Sequence, residues 1–257
     1  MKKIILVLLL VFLCSLEVIN ARDLIIGGKP SELNRWFDEK SGKYTGFDVE
    51  IIDYVMKKLG ISYQIVLENS SARLEQGWQL DKPFYDMVFT YSWKKEREKY
   101  LIYPSESHTV IDWNLFIRKE DEGKYKFETY NDLKGLKIGY TKGNSYTEDF
   151  FTALKNGIFE GDEVVKEELQ IVKLLNGRIN MVPLSKLSAL YQAKNEGYID
   201  KISYLPKPMK SEPYYNTFVK KSDYPNLSLL VKKYDETLKE MKKSGVFDEI
   251  SKKYGKN

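Results

Sequence analysis

Cysteine and histidine are almost absent from this 257-residue chain, which has one of each, Cys14 and His108. A cysteine nucleophile paired with a histidine base is therefore not expected, nor is a histidine-rich metal site. The sequence also lacks the GxSxG, HExxH and Walker motifs and a complete dinucleotide-binding fingerprint. His108 falls in a predicted loop, where we expect a structural or surface role. These residues predict neither an enzyme nor a cofactor.

Long apolar runs are equally scarce, and the one that stands out lies at the N terminus. A basic pair at residues 2–3 precedes an apolar run of about ten residues at 4–13, the length of a secretory signal and too short for a bilayer. We therefore expect residues 1–21 to be removed by cleavage after Ala21, and the mature protein to work in the periplasm or otherwise outside the cytoplasm. A lipid anchor at Cys14 is not favoured, because bulky residues precede it where small ones are expected.

Neither sign of charge is in excess, since the chain has 41 basic and 37 acidic residues and a net charge of +4. A nucleic-acid-binding protein would be expected to show a strongly basic face. Nucleic acid is therefore not a predicted partner. The chain after the leader is long enough for one large domain or two lobes of ordinary size.

The segment from Gly46 to Gly60 is the clearest element, with apolar residues at three- and four-residue spacing, acidic residues early and lysines late. This pattern predicts a helix that packs on one face and ends at Gly60 with a left-handed cap. Predicted strands at 24–28 and 61–66 flank the helix, so the three form a right-handed parallel βαβ unit. Ligands of such sheets usually lie at the carboxyl ends of the strands. We therefore expect the loop at 27–45 to border a site.

The rest of the chain alternates strands with helices, a pattern typical of an open parallel sheet covered on both faces. A second block repeats the order strand, glycine loop, helix and strand. We predict an α/β fold of two open lobes joined by a two-strand hinge, with closure around a ligand. The predicted boundaries are lobe 1 at residues 22–112 and 214–257, lobe 2 at 113–213, and hinge crossings near 112–113 and 205–215.

Polar side chains at the predicted strand-to-helix junctions are the best candidates for a binding site. Thr90 and Ser92 end one buried strand, and Arg97 follows Ser92 by five residues. Two hydroxyls and a guanidinium can hold a carboxylate, because the guanidinium pairs with both carboxylate oxygens. Alternatively, Arg97 pairs on the surface with Glu96 or Glu98.

Three further features have a binding and a non-binding interpretation each. Arg73 is either a second anion-binding residue or a solvated arginine at a helix start. The loop from Gly143 to Tyr146 places backbone amides at a predicted helix N-terminus, which is a natural seat for an anion, but such loops are common. Trp36 either covers a ligand or caps the core.

Several segments together resemble one known family. The stretch GFDVEIIDYVMKKLG is similar to the signature of the extracellular solute-binding proteins of the third bacterial family, which mostly serve ABC importers of polar amino acids. The later segments follow in the family's order, namely YDMVFTYSWKKER, LKGLKIGYTKGNSY, LLNGRINMV and SGVFDEISKKYG. The stretch EREKYLIYPSE resembles a divergent branch. The resemblance implies the two-lobed periplasmic-binding-protein fold of type II, a ligand cleft and no catalysis.

The resemblance also implies roles for individual residues. The family's arginine for the ligand carboxylate falls on Arg97, with Thr90 and Ser92 in support. The contact from the second lobe falls on Asn144 and Ser145.

One position departs from the family. The acidic residue that binds the ligand's α-ammonium falls on Ser185, which carries no charge. A buried ammonium without a carboxylate partner is costly, so this departure argues against a standard α-amino acid as the ligand. In the divergent branch an arginine near Arg73 recurs in the cleft.

We therefore expect a monomeric, exported protein that captures a small polar, carboxylate-bearing solute, an amino acid or a related compound, and passes it to an ABC-type permease. The expected binding residues are Arg97, Arg73, Thr90, Ser92, Trp36, Asn144, Ser145, Tyr146 and Ser185. Two alternatives stay open. One is a lyase or dehydratase on the same fold, with Glu75 or Lys94 as the acid or base. The other is a sensory protein that reports its ligand to a receptor.

Overall fold

The computed structural model describes residues 22–256, so the predicted signal peptide, its cleavage site and Cys14 lie outside the described residues. Seven α-helices occur in this part of the chain: α1 Phe47–Leu59, α2 Ser71–Gln79, α3 Glu148–Lys155, α4 Glu168–Leu175, α5 Lys186–Asn195, α6 Leu227–Lys243 and α7 Val246–Lys253. The same residues contain twelve strands: β1 Leu24–Gly28, β2 Trp36–Asp38, β3 Lys43–Thr45, β4 Tyr63–Leu67, β5 Met87–Ser92, β6 Leu101–Ile102, β7 Thr109–Arg118, β8 Lys137–Thr141, β9 Glu160–Val164, β10 Val182–Ser185, β11 Ile202–Tyr204 and β12 Lys210–Val219.

The first βαβ unit is confirmed. The apolar stripe of α1 buries Ile51, Ile52, Val55 and Met56 completely. Gly60 adopts the left-handed conformation with φ 66° and ends the helix as predicted. β1 pairs in parallel with β4 on one side and with β5 on the other. The carboxyl ends of these strands therefore lie at one edge of the sheet.

The large sheet is mixed, which corrects the prediction of an open parallel sheet. Its strand order is β10-β7-β12-β5-β1-β4, and β11 and β6 pair with β7 and β12. β12 is antiparallel to both β5 and β7. The physical reason is that the chain leaves the first block along β7 and returns along β12, so the two strands run in opposite directions beside each other.

Buried apolar side chains form four clusters that separate along the chain. The buried members of two clusters come only from residues 24–101 and 218–241. Those of the other two come only from residues 115–205. Each group can bury its own apolar surface, as expected for two compact units. The exact lobe boundaries stay a prediction.

Two segments predicted as loops contain short strands. Residues 101–104 include β6, which pairs with Phe218 and Val219 at the far end of β12. Residues 27–45 include the hairpin of β2 and β3. The partner of β6 lies more than a hundred residues away along the chain, so local sequence does not reveal it. Within residues 22–256, no helix combines the length and the apolar character needed to cross a bilayer.

Candidate functional site

Five of the nine predicted binding residues line one cavity of about 120 Å³. Thr90 and Ser92 belong to β5 and Arg97 to the turn after it, whereas Asn144 and Ser145 belong to the loop between β8 and α3. Neighbouring side chains complete the wall, among them Lys29, Arg35, Glu75, Trp113 and Tyr214. The cavity is thus lined by residues from both of the chain parts that form the core clusters.

Arg97 is held in this cavity by contacts on both amino nitrogens. A short 3-10 turn at Lys95–Arg97 presents the side chain, which leaves the residue only 9% exposed. Nη2 donates to Ser145 Oγ at 2.8 Å and lies 3.3 Å from Glu75 Oε1. Nη1 donates to the carbonyl oxygen of Ser92 at 3.2 Å. The guanidinium therefore bonds to segments that are far apart in sequence.

The alternative of a surface ion pair for Arg97 is not what the structure shows. Glu96 and Glu98 contact Lys94 and Lys95 instead, at 3.9 and 2.8 Å. The Arg97 guanidinium carbon lies 4.9 Å from the centroid of the Tyr91 ring, within cation–π range.

Ser145 also accepts a hydrogen bond from a second cation, Lys210 of β12. The Lys210 Nζ donates to the Ser145 carbonyl oxygen and lies 5.5 and 5.7 Å from the ring centroids of Trp113 and Tyr214. Lys210 is 8% exposed. Burial lowers its pKa, which the nearby carboxylate of Glu212 partly opposes. Ser145 is therefore bound at both its hydroxyl and its carbonyl.

A buried polar network begins at Arg35 and Thr90 in the cavity wall and continues inward to Asp48 and His108. Arg35 Nη1 donates to the carboxylate of Asp48 and, at 2.9 Å, to Thr90 Oγ1, which itself donates to Asp48 Oδ2 at 2.7 Å. His108 Nε2 lies 3.3 Å from Asp48 Oδ1. Thr90 has φ 62°, an outlying value for a β-branched residue. Its two side-chain hydrogen bonds help to hold it there.

The charges of this network follow from burial and pairing. Burial alone would raise the pKa of Asp48, but the close approach of His108 and the charge of Arg35 outweigh it and lower that pKa below its usual value. Burial lowers the pKa of His108, against the opposing effect of Asp48, so the imidazole is neutral at neutral pH. The structural role expected for His108 fits this position. The ionic charge of the network resides on Arg35 and Asp48.

Two other predicted residues lie outside the cavity. Arg73 of α2 is largely exposed and donates to Glu68 at 2.7 Å, which matches the interpretation as a solvated arginine at a helix start. Trp36 is half-buried in β2, where it pairs with Thr45 of β3.

Tyr146 and Ser185 also lie apart from Arg97. Tyr146 is 3% exposed in the second-block core, and its hydroxyl accepts a hydrogen bond from the Thr141 amide at 2.9 Å. Ser185 lines a different cavity of about 230 Å³, beside Ser188. The position at which the resemblance expects an ammonium-binding acid thus does not border the Arg97 cavity.

The predicted anion seat at the loop of Gly143 to Tyr146 needs correction. α3 begins only at Glu148, and its N-cap Thr147 accepts a hydrogen bond from the Phe150 amide. The amides of Asn144 and Tyr146 donate to carbonyl oxygens within the loop. The reason is that the turn continues for longer than the glycine suggested. The loop contributes side chains to the cavity rather than a helix N-terminus.

A larger cavity of about 720 Å³ lies between α7 and the start of β7, with Phe47, Phe247 and Lys256 among its lining residues. None of the nine predicted binding residues lines it. Within residues 22–256, no group of three or more His, Cys, Asp or Glu side chains could hold a metal ion. The smaller cavity has the convergent polar groups that ligand sites need.

Sequence reasoning missed Arg35, Asp48 and Lys210 as members of this region. Asp48 was attributed to the helix dipole of α1, and Lys210 had no distinguishing signal. Glu75 was named only as an acid or base of the enzyme alternative. The one usable hint for Arg35 was its place in the loop predicted to border a site.

The comparisons with known proteins agree on a family and a fold. The family model described as bacterial extracellular solute-binding proteins, family 3, matches residues 24–257. The L-cystine-binding protein TcyA of Bacillus subtilis (strain 168) is 29% identical over 222 residues, or 85% of this chain and 75% of that protein.

Two solved structures show the same fold at low identity. An ancestral arginine-binding protein bound to arginine has a TM-score of 0.72 and 22% identity, with 90% of this chain and 97% of that one covered. The ancestral amino acid-binding protein AncCDT-1, a precursor of cyclohexadienyl dehydratase, has a TM-score of 0.69 and 18% identity, with 90% and 94% covered. The predicted periplasmic-binding-protein fold is thus confirmed, and these three similar proteins are named as binding proteins. Because the family model spans almost all described residues, the chain belongs to the bacterial extracellular solute-binding proteins, family 3.

Proposed function

We propose that this solute-binding protein captures a small carboxylate-bearing solute at Arg97 and delivers it to an ABC-type permease outside the cytoplasm. The observation that supports this most is the placement of Arg97. Its guanidinium is buried, lines a cavity and bonds to Ser145, which lies in the part of the chain (residues 115–205) that forms the other two core clusters. A guanidinium so placed is suited to a carboxylate, because it can pair with both oxygens.

The same contact supports closure of two lobes. With the predicted lobe boundaries, Arg97 belongs to lobe 1 and Ser145 to lobe 2, and β7 and β12 form the hinge. A carboxylate at Arg97 would compete with or bridge the Arg97–Ser145 hydrogen bond, so ligand binding and lobe closure would be coupled. Arg73, Trp36, Tyr146 and Ser185 are left out of the proposed carboxylate site because they lie elsewhere.

The amino-acid class of the solute depends on Glu75. It is the one carboxylate among the residues that line the cavity, and Ser185 lies in another cavity. An α-ammonium would need Glu75 as its partner, because a buried ammonium without an acid is costly. TcyA is named as an L-cystine-binding protein, so L-cystine is the first amino acid to test.

The test is ligand identification followed by calorimetry. The protein is purified natively, the retained compound is identified by mass spectrometry, and its affinity is measured for the wild type and for Arg97→Ala and Arg73→Ala. Arg97→Ala should cost about 2–5 kcal/mol, roughly 30-fold to several thousand-fold in Kd. Arg73→Ala, which removes an exposed ion pair with Glu68, should leave the affinity unchanged. Equal affinities of wild type and Arg97→Ala would refute the assignment.

The lyase or dehydratase alternative rests on one observation. Glu75 lies in the cavity 3.3 Å from Arg97, where an acid or base could act on a bound carboxylic acid. The retained ligand should therefore be incubated with the wild type and analysed for products. Turnover that Glu75→Gln abolishes would favour the enzyme, whereas tight binding without turnover favours transport or sensing.

A further inference from the structure

A second arginine lines the same cavity as Arg97. Arg35 is 8% exposed, and its Nε donates to the Lys29 carbonyl oxygen at 2.7 Å while Nη1 bonds to Asp48 and Thr90. Among the described residues, Nη2 has no hydrogen-bond partner, and it is not one of the fully occluded polar atoms. Arg35, which lines the cavity, is therefore held at Nε and Nη1 and has an amino group, Nη2, left for a further partner.

Lys29 adds a cation to the same wall. It is half-buried, lines the cavity and makes no ion pair with a residue in the range 22–256. Asp48 neutralises Arg35 from behind, and the lining carboxylate of Glu75 lies against Arg97. Among residues 22–256, the charge of Lys29 is thus left without a protein counterion beside this small, partly open cavity. A bound solute would supply it.

We propose that the solute carries a second acidic group, which Arg35 Nη2 and Lys29 bind while Arg97 and Ser145 bind the first. This inference rests on the proposed function, since it takes Arg97 as the anchor of the first carboxylate. The recognised class is a short acid with a carboxylate at each end.

The strand geometry favours a short molecule, and the cavity is large enough to hold one. Arg35 and Arg97 contact β5 at Thr90 and at Ser92, two residues apart along the strand. The cavity of about 120 Å³ holds roughly 8–12 water-sized atoms, at the ~10–15 Å³ that each one needs. A dicarboxylate with a chain of a few carbons fits that volume.

The test uses matched acids that differ only in the second carboxylate. Ligand-stripped protein is titrated in a calorimeter with succinate, glutarate and adipate, and with butanoate, pentanoate and hexanoate as their respective partners. In the wild type, at least one diacid should bind ten or more times as tightly as the monoacid of the same length.

Two variants then alter the proposed binding groups for the second carboxylate, Lys29 and Arg35, while Arg97 is kept. Lys29→Met removes the uncompensated charge. Arg35→Lys keeps a cation opposite Asp48, which protects the fold, but loses the Nη2 group. In both variants the diacid should lose at least tenfold in Kd while the monoacid changes less than twofold. Arg73→Lys serves as the matched control on the surface, and thermal unfolding checks that every variant is folded.

The outcomes separate this inference from the function on which it rests. Equal binding of diacid and monoacid by the wild type would overturn the second anchor and leave the carboxylate site at Arg97 intact. A diacid preference that survives in both variants would overturn the assignment to Arg35 and Lys29. Failure of every acid to bind would overturn the inference, whereas the proposed function stands or falls with the retained ligand and its affinity for Arg97→Ala.

Discussion

Loss of the carboxylate at Asp48 should destabilise the protein strongly, because that group neutralises Arg35 in a place that water does not reach. The two side chains are 1% and 9% exposed. Removal of one partner from a buried ion pair costs about 3–5 kcal/mol, since the other charge stays buried without compensation. We expect Asp48→Asn and Arg35→Gln each to lower the free energy of unfolding by that amount.

The double variant is the decisive measurement. Because Asp48→Asn with Arg35→Gln removes both charges, its cost should be less than the sum of the two single costs by about 1–3 kcal/mol. Urea unfolding followed by far-UV circular dichroism and by tryptophan fluorescence gives these values. Agreement between the two probes is needed before a two-state free energy is used for a chain of this size.

A surface ion pair on the same chain provides the control. Arg73 and Glu68 are 69% and 22% exposed at the side chain and lie 2.7 Å apart. Arg73→Ala should therefore cost no more than about 1 kcal/mol. If Asp48→Asn costs no more than Arg73→Ala, or if the double variant is additive, then the Asp48–Arg35 pair does not act as the buried charge pair described above.

Two further predictions concern the same network. Thr90 has φ 62°, in the left-handed region. Thr90→Gly should be more stable to urea than Thr90→Ala by about 1–2 kcal/mol, because both variants lose the hydroxyl but only glycine adopts this conformation without strain. Equal stability of the two variants would argue against strain at this residue. The pKa of His108 is lowered in the folded protein, chiefly by burial and against the effect of Asp48, with Arg35 and Lys256 as the nearby cations. As pH falls below about 6.5, His108 therefore binds a proton in the unfolded chain before it does so in the folded protein. Between pH 6.5 and 5, the free energy of unfolding of the wild type should fall by up to about 1.4 kcal/mol per pH unit more than that of His108→Gln. Parallel pH profiles of the two proteins would contradict this assignment.

The sequence was most informative where one local pattern determines an element. The α1 stripe and its Gly60 cap agree with the structure. Strand pairing is harder to predict from the sequence, because β7 and β12 pair with strands that lie far away along the chain. For this reason the large sheet is mixed where the sequence predicts a parallel one, and β6 has no signal in the local sequence.

The residues of the candidate site also divide into those that the local sequence predicts and those that it does not. Arg97, Thr90 and Ser92 lie within eight residues of one another, so their common place at the end of β5 could be expected. Tyr146 does not line the cavity. An aromatic side chain beside a loop can equally well fill the core, and here the ring centroids of Tyr146 and Phe150 lie 4.9 Å apart.

The network of Arg35, Asp48, Thr90 and His108 shows what local patterns omit. Its members come from a loop, a helix start, strand β5 and the residue before β7, at sequence separations of 13 to 55 residues for the contacts of Arg35 with Asp48 and Thr90. Asp48 had a sufficient local explanation as an acid in the first turn of α1, and that explanation concealed its second partner. An acidic residue whose position is explained by helix chemistry can also be the ion-pair partner of a distant arginine. Asp48 of α1 binds Nη1 of Arg35, so a helix that does not line the cavity helps to position a side chain that does.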